Sequence, residues 1–109
     1  MNIFENIPYN IEKMGNRKVA DQNDILIMQI ALKPGQIVPL HKANSNVHLL
    51  ILKGELIVEL DSVDRKAKEG DLLPVKYLTP MTIKNIGSCD ATFLVLKTPN
   101  PSQINKEKL

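Results

Sequence analysis

The feature that most constrains this chain is its punctuation: short runs rich in Val, Ile and Leu, each halted by Gly, Pro, Asn or Asp after about ten residues. Such runs are too short for helices that bury an apolar stripe, and they suit strands joined by tight turns. The pattern predicts an all-β domain, an antiparallel sandwich or barrel, in which no helix of useful length is needed. Strands are expected over residues 25–33, 37–43, 47–52, 55–60, 63–69, 72–74, 81–86 and 91–98. Between them lie turn sequences such as Pro34-Gly35, Asn44-Ser45-Asn46, Lys53-Gly54, Asp61-Ser62 and Gly70-Asp71.

Two runs say more. From Glu55 to Leu60, Leu56, Val58 and Leu60 alternate with Glu55, Ile57 and Glu59, the period of two of a half-buried strand. The run Val47-His48-Leu49-Leu50-Ile51-Leu52 does not alternate, which predicts cover on both faces. One cover is the barrel interior. The other is a second sheet or a second subunit, and a homodimer is the expected assembly. Residues 63–69 are polar and predict a wet edge. Residues 1–16 read as an N-terminal arm, 17–98 as the barrel, and 99–109, with Pro99, Pro101 and Lys106-Glu107-Lys108, as a frayed C-terminal tail.

Composition narrows the functions. A chain of 109 residues supplies one core. Fourteen Lys plus Arg against twelve Asp plus Glu, mostly scattered, are too weak a balance for direct nucleic-acid binding, and two Phe, two Tyr and no Trp leave little on which bases could stack. Cys89 stands alone, which excludes an internal disulfide, fits a reducing compartment, and offers no neighbouring His to activate a thiol. Asp61, Asp64, Glu69 and Asp71 fall in or beside turns and read as turn chemistry. No apolar stretch is long enough to span a bilayer and no basic-plus-apolar leader precedes Glu5 and Pro8, so we expect a cytoplasmic protein that begins near Met1 and has no membrane partner.

Residues 35–54 carry a spaced motif. Gly35 is followed by five residues to His41, with Ala43 two beyond it; three residues then lead to Val47 and six more to Gly54. A second stretch runs from Gly70 through five residues to Lys76-Tyr77-Leu78, two more to Met81, and three more to Asn85. These spacings resemble the two signatures of the cupin superfamily, in which the first reads glycine, His-x-His, glutamate, glycine, and the second reads glycine, Pro-x-Gly, histidine, asparagine. The resemblance covers residues 35–87 and implies a cupin-type antiparallel β-barrel, or double-stranded jelly roll. Glycines and turns set strand length and register, whereas ligands set chemistry, so kept spacing with altered side chains implies a kept fold and an altered site.

In metal-binding cupins, two His and a Glu of the first signature and the His of the second hold one divalent ion. By position these are His41, Ala43, Val47 and Met81, and only His41 supplies an imidazole or hard oxygen ligand, where such sites take about three or four protein ligands. The expectation is therefore no metal and no cofactor. His48 follows the glutamate position by one residue and should face away from the interior, as a partly buried or interface histidine. Alternation along the strands places Ala43, Val47, Leu49, Met81, Ile83 and Asn85 inward, opposite Met28 and its neighbours Leu26 and Ile30. The expected site is an apolar mouth with His41 and Asn85 as its polar groups and little Lys or Arg; whether it is open or filled by Met81 and Leu49 stays undecided.

Three functions fit. The first is a non-catalytic, metal-free domain that takes a small, mostly apolar ligand or serves in dimerisation. The second is a cupin enzyme, resembling isomerases, decarboxylases or dioxygenases, in which His41 acts as general base with or without a metal. The third is a regulatory partner, since cupin barrels resemble the sensor halves of some transcription regulators, although no helix-turn-helix is present here. The reading leans away from catalysis.

Overall fold

A computed structural model describes residues 1–107 as nine strands and one short helix. The strands are β1 (Gly15–Gln22), β2 (Ile25–Leu32), β3 (Ile37–Lys42), β4 (Asn46–Lys53), β5 (Glu55–Leu60), β6 (Val63–Lys68), β7 (Leu72–Val75), β8 (Pro80–Asn85) and β9 (Ala91–Thr98), and the helix is α1 (Pro101–Glu107). Lys108 and Leu109, the end of the expected tail, lie outside the described residues. No helix among the described residues is long and apolar enough to cross a membrane.

The strands form a five-stranded sheet in the order β1-β2-β9-β4-β7 and a four-stranded sheet in the order β3-β8-β5-β6. Every neighbouring pair is antiparallel. The sheets enclose one apolar core without closing into a continuous barrel, the double-stranded arrangement that the family resemblance implies. Leu32, Leu49, Ile51, Leu56, Val58 and Phe93 are each at most 1% exposed. Burying each such side chain contributes about 1.5–3 kcal/mol. The alternation of β5 holds, with Leu56 and Val58 buried and Glu55 exposed, and polar β6 takes the sheet edge.

β1 was absent from the expected strands, and it begins at Gly15, two residues inside the expected arm. Its sequence, GNRKVADQ, has no apolar rhythm because it is an edge strand held by ladder bonds to β2 and by the arm above it. Residues 2–8 lie on the outer face of β1 and β2. Gln29 Nε2 donates to the Ile3 carbonyl at 2.8 Å, and Arg17 Nη1 donates to the Asn6 carbonyl at 2.8 Å. Gln29 is 0% exposed, and its amide is fully used, accepting from Arg17 Nε and donating to Thr92 Oγ1 as well. Arm cover does not extend over β4, where His48 is exposed and Leu50 half-buried, so within one chain the outer side of that run is covered mainly at Leu52.

The tail departs from the frayed segment expected. Pro101 presets the first helical position, and Asn100 caps the helix by accepting the Ser102 amide at 3.1 Å. Asn100 Nδ2 also donates to Asp21 Oδ1 at 2.7 Å and to the Gln22 carbonyl at 3.0 Å, which ties the tail to the β1–β2 turn. Hydrogen bonds from Lys18 and then Asn100 hold the Asp21 carboxyl below its ordinary value.

Turn chemistry follows the sequence closely, with one exception. Asp61 and Ser62 both adopt positive φ, 51° and 67°, as a two-residue type I′ hairpin loop between the paired Leu60 and Val63 requires. Leu78 stands where the family resemblance puts a glycine, yet it keeps the left-handed backbone, at φ 69°. Bonds from Leu78 N to the Ala43 carbonyl (2.8 Å) and from Ala43 N to the Thr79 carbonyl (2.9 Å) hold it there. That conformation costs a leucine roughly 1–2 kcal/mol, of which glycine's larger unfolded entropy returns about 0.5–1 kcal/mol. The side chain is 53% exposed, so little packing is at stake. Leu78→Gly is therefore expected to stabilise by about 0.5–1 kcal/mol, read as a higher urea midpoint at constant slope; an unchanged or lower midpoint contradicts the assignment of strain.

Candidate functional site

The two sheets diverge at the end marked by His41, Val47, Met81 and Lys97, and leave a cavity of about 240 Å³ between them. On the five-stranded side, the register aligns Asn16 with Ile30, Ile30 with Phe93, Met28 with Val95, and Val47 with Lys97, which puts one row from each of β1, β2, β9 and β4 on the lining. Val38, His41, Met81 and Ile83 supply the opposite wall from β3 and β8.

His41 reaches this wall through a bulge. Val38 pairs with Ile83 and is buried, so strict alternation would turn Leu40 inward and His41 outward. The register shifts between Val38 and His41, one extra residue is accommodated, and His41 pairs with Met81 while Leu40 is left 69% exposed. His41 Nδ1 lies 2.8 Å from the Pro39 carbonyl. A carbonyl only accepts, so Nδ1 donates this bond and Nε2 is left free of it.

Of the residues named from the sequence, Met28, His41, Ala43, Val47, Met81 and Ile83 line the cavity. Leu49 does not: it is 0% exposed, pairs with Val95 and Leu73, and fills core below the cavity. Asn85 also lies elsewhere. It shares a face with Met81 and Ile83 but sits four residues along β8 from Met81, roughly 13 Å at strand rise. There it is a structural clamp, with Nδ2 donating to the Leu32 and Cys89 carbonyls at 2.9 Å each and Oδ1 accepting the Gly87 amide at 3.0 Å. His48, paired with Leu96 and Pro74, is exposed on the outer face of its sheet.

The sequence leads to a cavity poor in Lys and Arg, and the lining holds one Lys and no Arg. Lys97 lines it, half-buried on β9, the central strand of its sheet, with Leu26 and Val47 as cross-strand neighbours. The signal was in the sequence: period two from Ala91 and Phe93 through Val95 ends on Lys97. Burial lowers the Lys97 pKa from its ordinary value. The ion pairs among the described residues are Lys18 with Asp21 and Lys33 with Asp90, so none of the described carboxylates pairs with this amine.

No family model matches the chain. It is 37% identical over 89 residues to an uncharacterized protein of Methanocaldococcus jannaschii, a match that covers 81% of this chain and 77% of that one. The crystal structure of an RmlC-like cupin family protein with a double-stranded β-helix fold from Methanocaldococcus jannaschii superposes with a TM-score of 0.79 at 32% identity, over 89% of this chain and 92% of that one. The chain belongs to the RmlC-like cupins. An RmlC-like cupin from Desulfovibrio desulfuricans shares the fold at a TM-score of 0.82 and 22% identity, over 91% and 94% of the two chains.

In this cupin the four positions that the resemblance assigns to metal ligands, His41, Ala43, Val47 and Met81, do meet on one cavity. Their chemistry does not fit a divalent transition ion. The polar groups of the lining are one imidazole, the carboxamides of Asn16 and Asn44, and the Lys97 amine. Among the described residues no three His, Cys, Asp or Glu side chains come close enough to share a metal. An ammonium in the same cavity repels a cation further.

Proposed function

We propose that this cupin is a metal-free binding protein for a small, mostly apolar molecule held between the diverging sheets. The observation that carries this reading is the cavity at the ancestral ligand positions, walled by Met14, Met28, Ile30, Val38, Ile83 and Phe93 with few polar groups. Apolar walls with a few placed polar atoms are the usual make-up of a small-molecule site. The volume, about 240 Å³, lies below the roughly 300–1,000 Å³ of drug-sized sites and equals about eight waters of liquid, so the ligand is a compact metabolite and not a nucleotide.

Methionine methyl groups report this directly. Of the four methionines, Met14, Met28 and Met81 line the cavity, and Met1 is 78% exposed outside it. With ¹³C-methyl methionine, titration of the full chain with short apolar probes such as hexanamide is expected to shift the Met14, Met28 and Met81 signals and leave Met1 in place. Elemental analysis of protein purified without added metal is expected to find far less than one transition ion per chain. A stoichiometric metal, or methyl signals indifferent to every apolar probe, would reject the proposal.

A further inference from the structure

Lys97 is an unusual occupant for such a cavity. Its backbone is fixed at the centre of the five-stranded sheet between two ladders, so the side chain must rise from the apolar inner face beside Val47 and Leu26. Among the described residues no carboxylate pairs with it; the two ion pairs there are made by Lys18 and Lys33. A half-buried ammonium without a partner keeps a desolvation cost that a bound anion would relieve, provided the anion brings one charge.

We infer that Lys97 anchors the acidic end of the ligand, which is a short-chain monocarboxylic acid: a hydrocarbon body against the methionine-lined wall and one carboxylate at the amine. This rests on the reading of the cavity as a ligand site and adds the class of molecule that the site selects. The polar lining matches one carboxylate in charge and in donors, since Asn44, on the same lining, carries an amide that can donate to a second oxygen. A phosphate is a poorer match. No Arg lines the cavity, and a dianion would leave one charge uncompensated among apolar walls.

The test compares hexanoate with hexanamide, equal in shape and different in charge, by methionine-methyl titration of the full chain at neutral pH. Hexanoate is expected to bind about tenfold more tightly than hexanamide, the factor a charge-assisted hydrogen bond supplies. Lys97→Met, an apolar replacement of similar length, is expected to bring the two affinities together while hexanamide still binds; Lys97→Arg is expected to keep the preference. Equal affinities in the unaltered protein overturn the acid assignment and leave the apolar-ligand reading standing. A preference that survives Lys97→Met places the anion elsewhere and also overturns it. If neither probe moves the cavity methyls, the binding reading itself fails, and this inference falls with it. The first comparison needs no variant, so the outcome does not depend on how well Lys97→Met folds.

Discussion

Phe93→Ala is expected to lower the unfolding free energy by about 3–5 kcal/mol, the loss usual for a buried aromatic truncated to alanine. Phe93 is 0% exposed, whereas the other phenylalanine, Phe4, is 61% exposed, so the core rests on this one phenyl ring. Its ring sits between its cross-strand partners, Ile30 on β2 and Ile51 on β4, where three strands of the larger sheet meet the cavity floor. The backbone of a central strand cannot collapse inward to refill the gap, so the transfer loss and the cavity loss add. Against a total of about 5–15 kcal/mol for a domain of this kind, the variant sits near the edge of folding at 37 °C. Urea titration followed by circular dichroism checks the magnitude. A loss under about 1 kcal/mol would mean that the ring is not packed as described. The same substitution deepens the cavity, so on the ligand reading the preferred chain length rises, and octanamide should gain on hexanamide in the methyl titration.

The second large effect is expected at Gly54, the residue that ends the first signature. Its φ is +90°, a region that side-chain-bearing residues enter at a cost of about 1–3 kcal/mol. A Cβ there would lie 2.6 Å from the Ala91 Cβ and 3.0 Å from the Asp90 carbonyl oxygen, and Ala91 is 0% exposed with no room to retreat. Overpacking of that kind adds about 1–3 kcal/mol. Gly54→Ala should therefore destabilise by about 2–6 kcal/mol and lower Tm by roughly 10–30 °C. Gly54 follows the end of β4 remote from Val47, so the response of the Met28 and Met81 methyls to hexanamide, measured below the variant's Tm, should not change. A variant as stable as the parent would remove the steric account of this signature position.

Eight of the nine strands were legible because their apolar runs and turn residues are local signals, each decided within a few residues of chain. The missed β1 has Asn16, Arg17 and Lys18 where an apolar rhythm was sought, and it is a strand because β2 offers it a ladder and residues 2–8 cover it. The helix over Pro101–Glu107 had a local signal in Asn100-Pro101, a cap followed by a first-turn proline, but its anchor to Asp21 and Gln22 crosses most of the chain. Lys97 follows the period of two, yet a lysine near a strand end reads as solvated until the facing sheet is known.

The sequence by itself determined the all-β class, because glycine and turn positions decide where strands stop, and its spaced motif carried the resemblance that implies the cupin arrangement. It also determined that the ligand positions carry Ala43, Val47 and Met81, side chains that supply neither a carboxylate nor an imidazole. Only the tertiary structure decided which polar groups share the cavity. The β3 bulge that brings His41 over Met81, the distance along β8 that removes Asn85, and the register that lifts Lys97 beside Val47 all depend on contacts between strands far apart in the chain. Such contacts are set by how two sheets pack, which no local run of residues encodes.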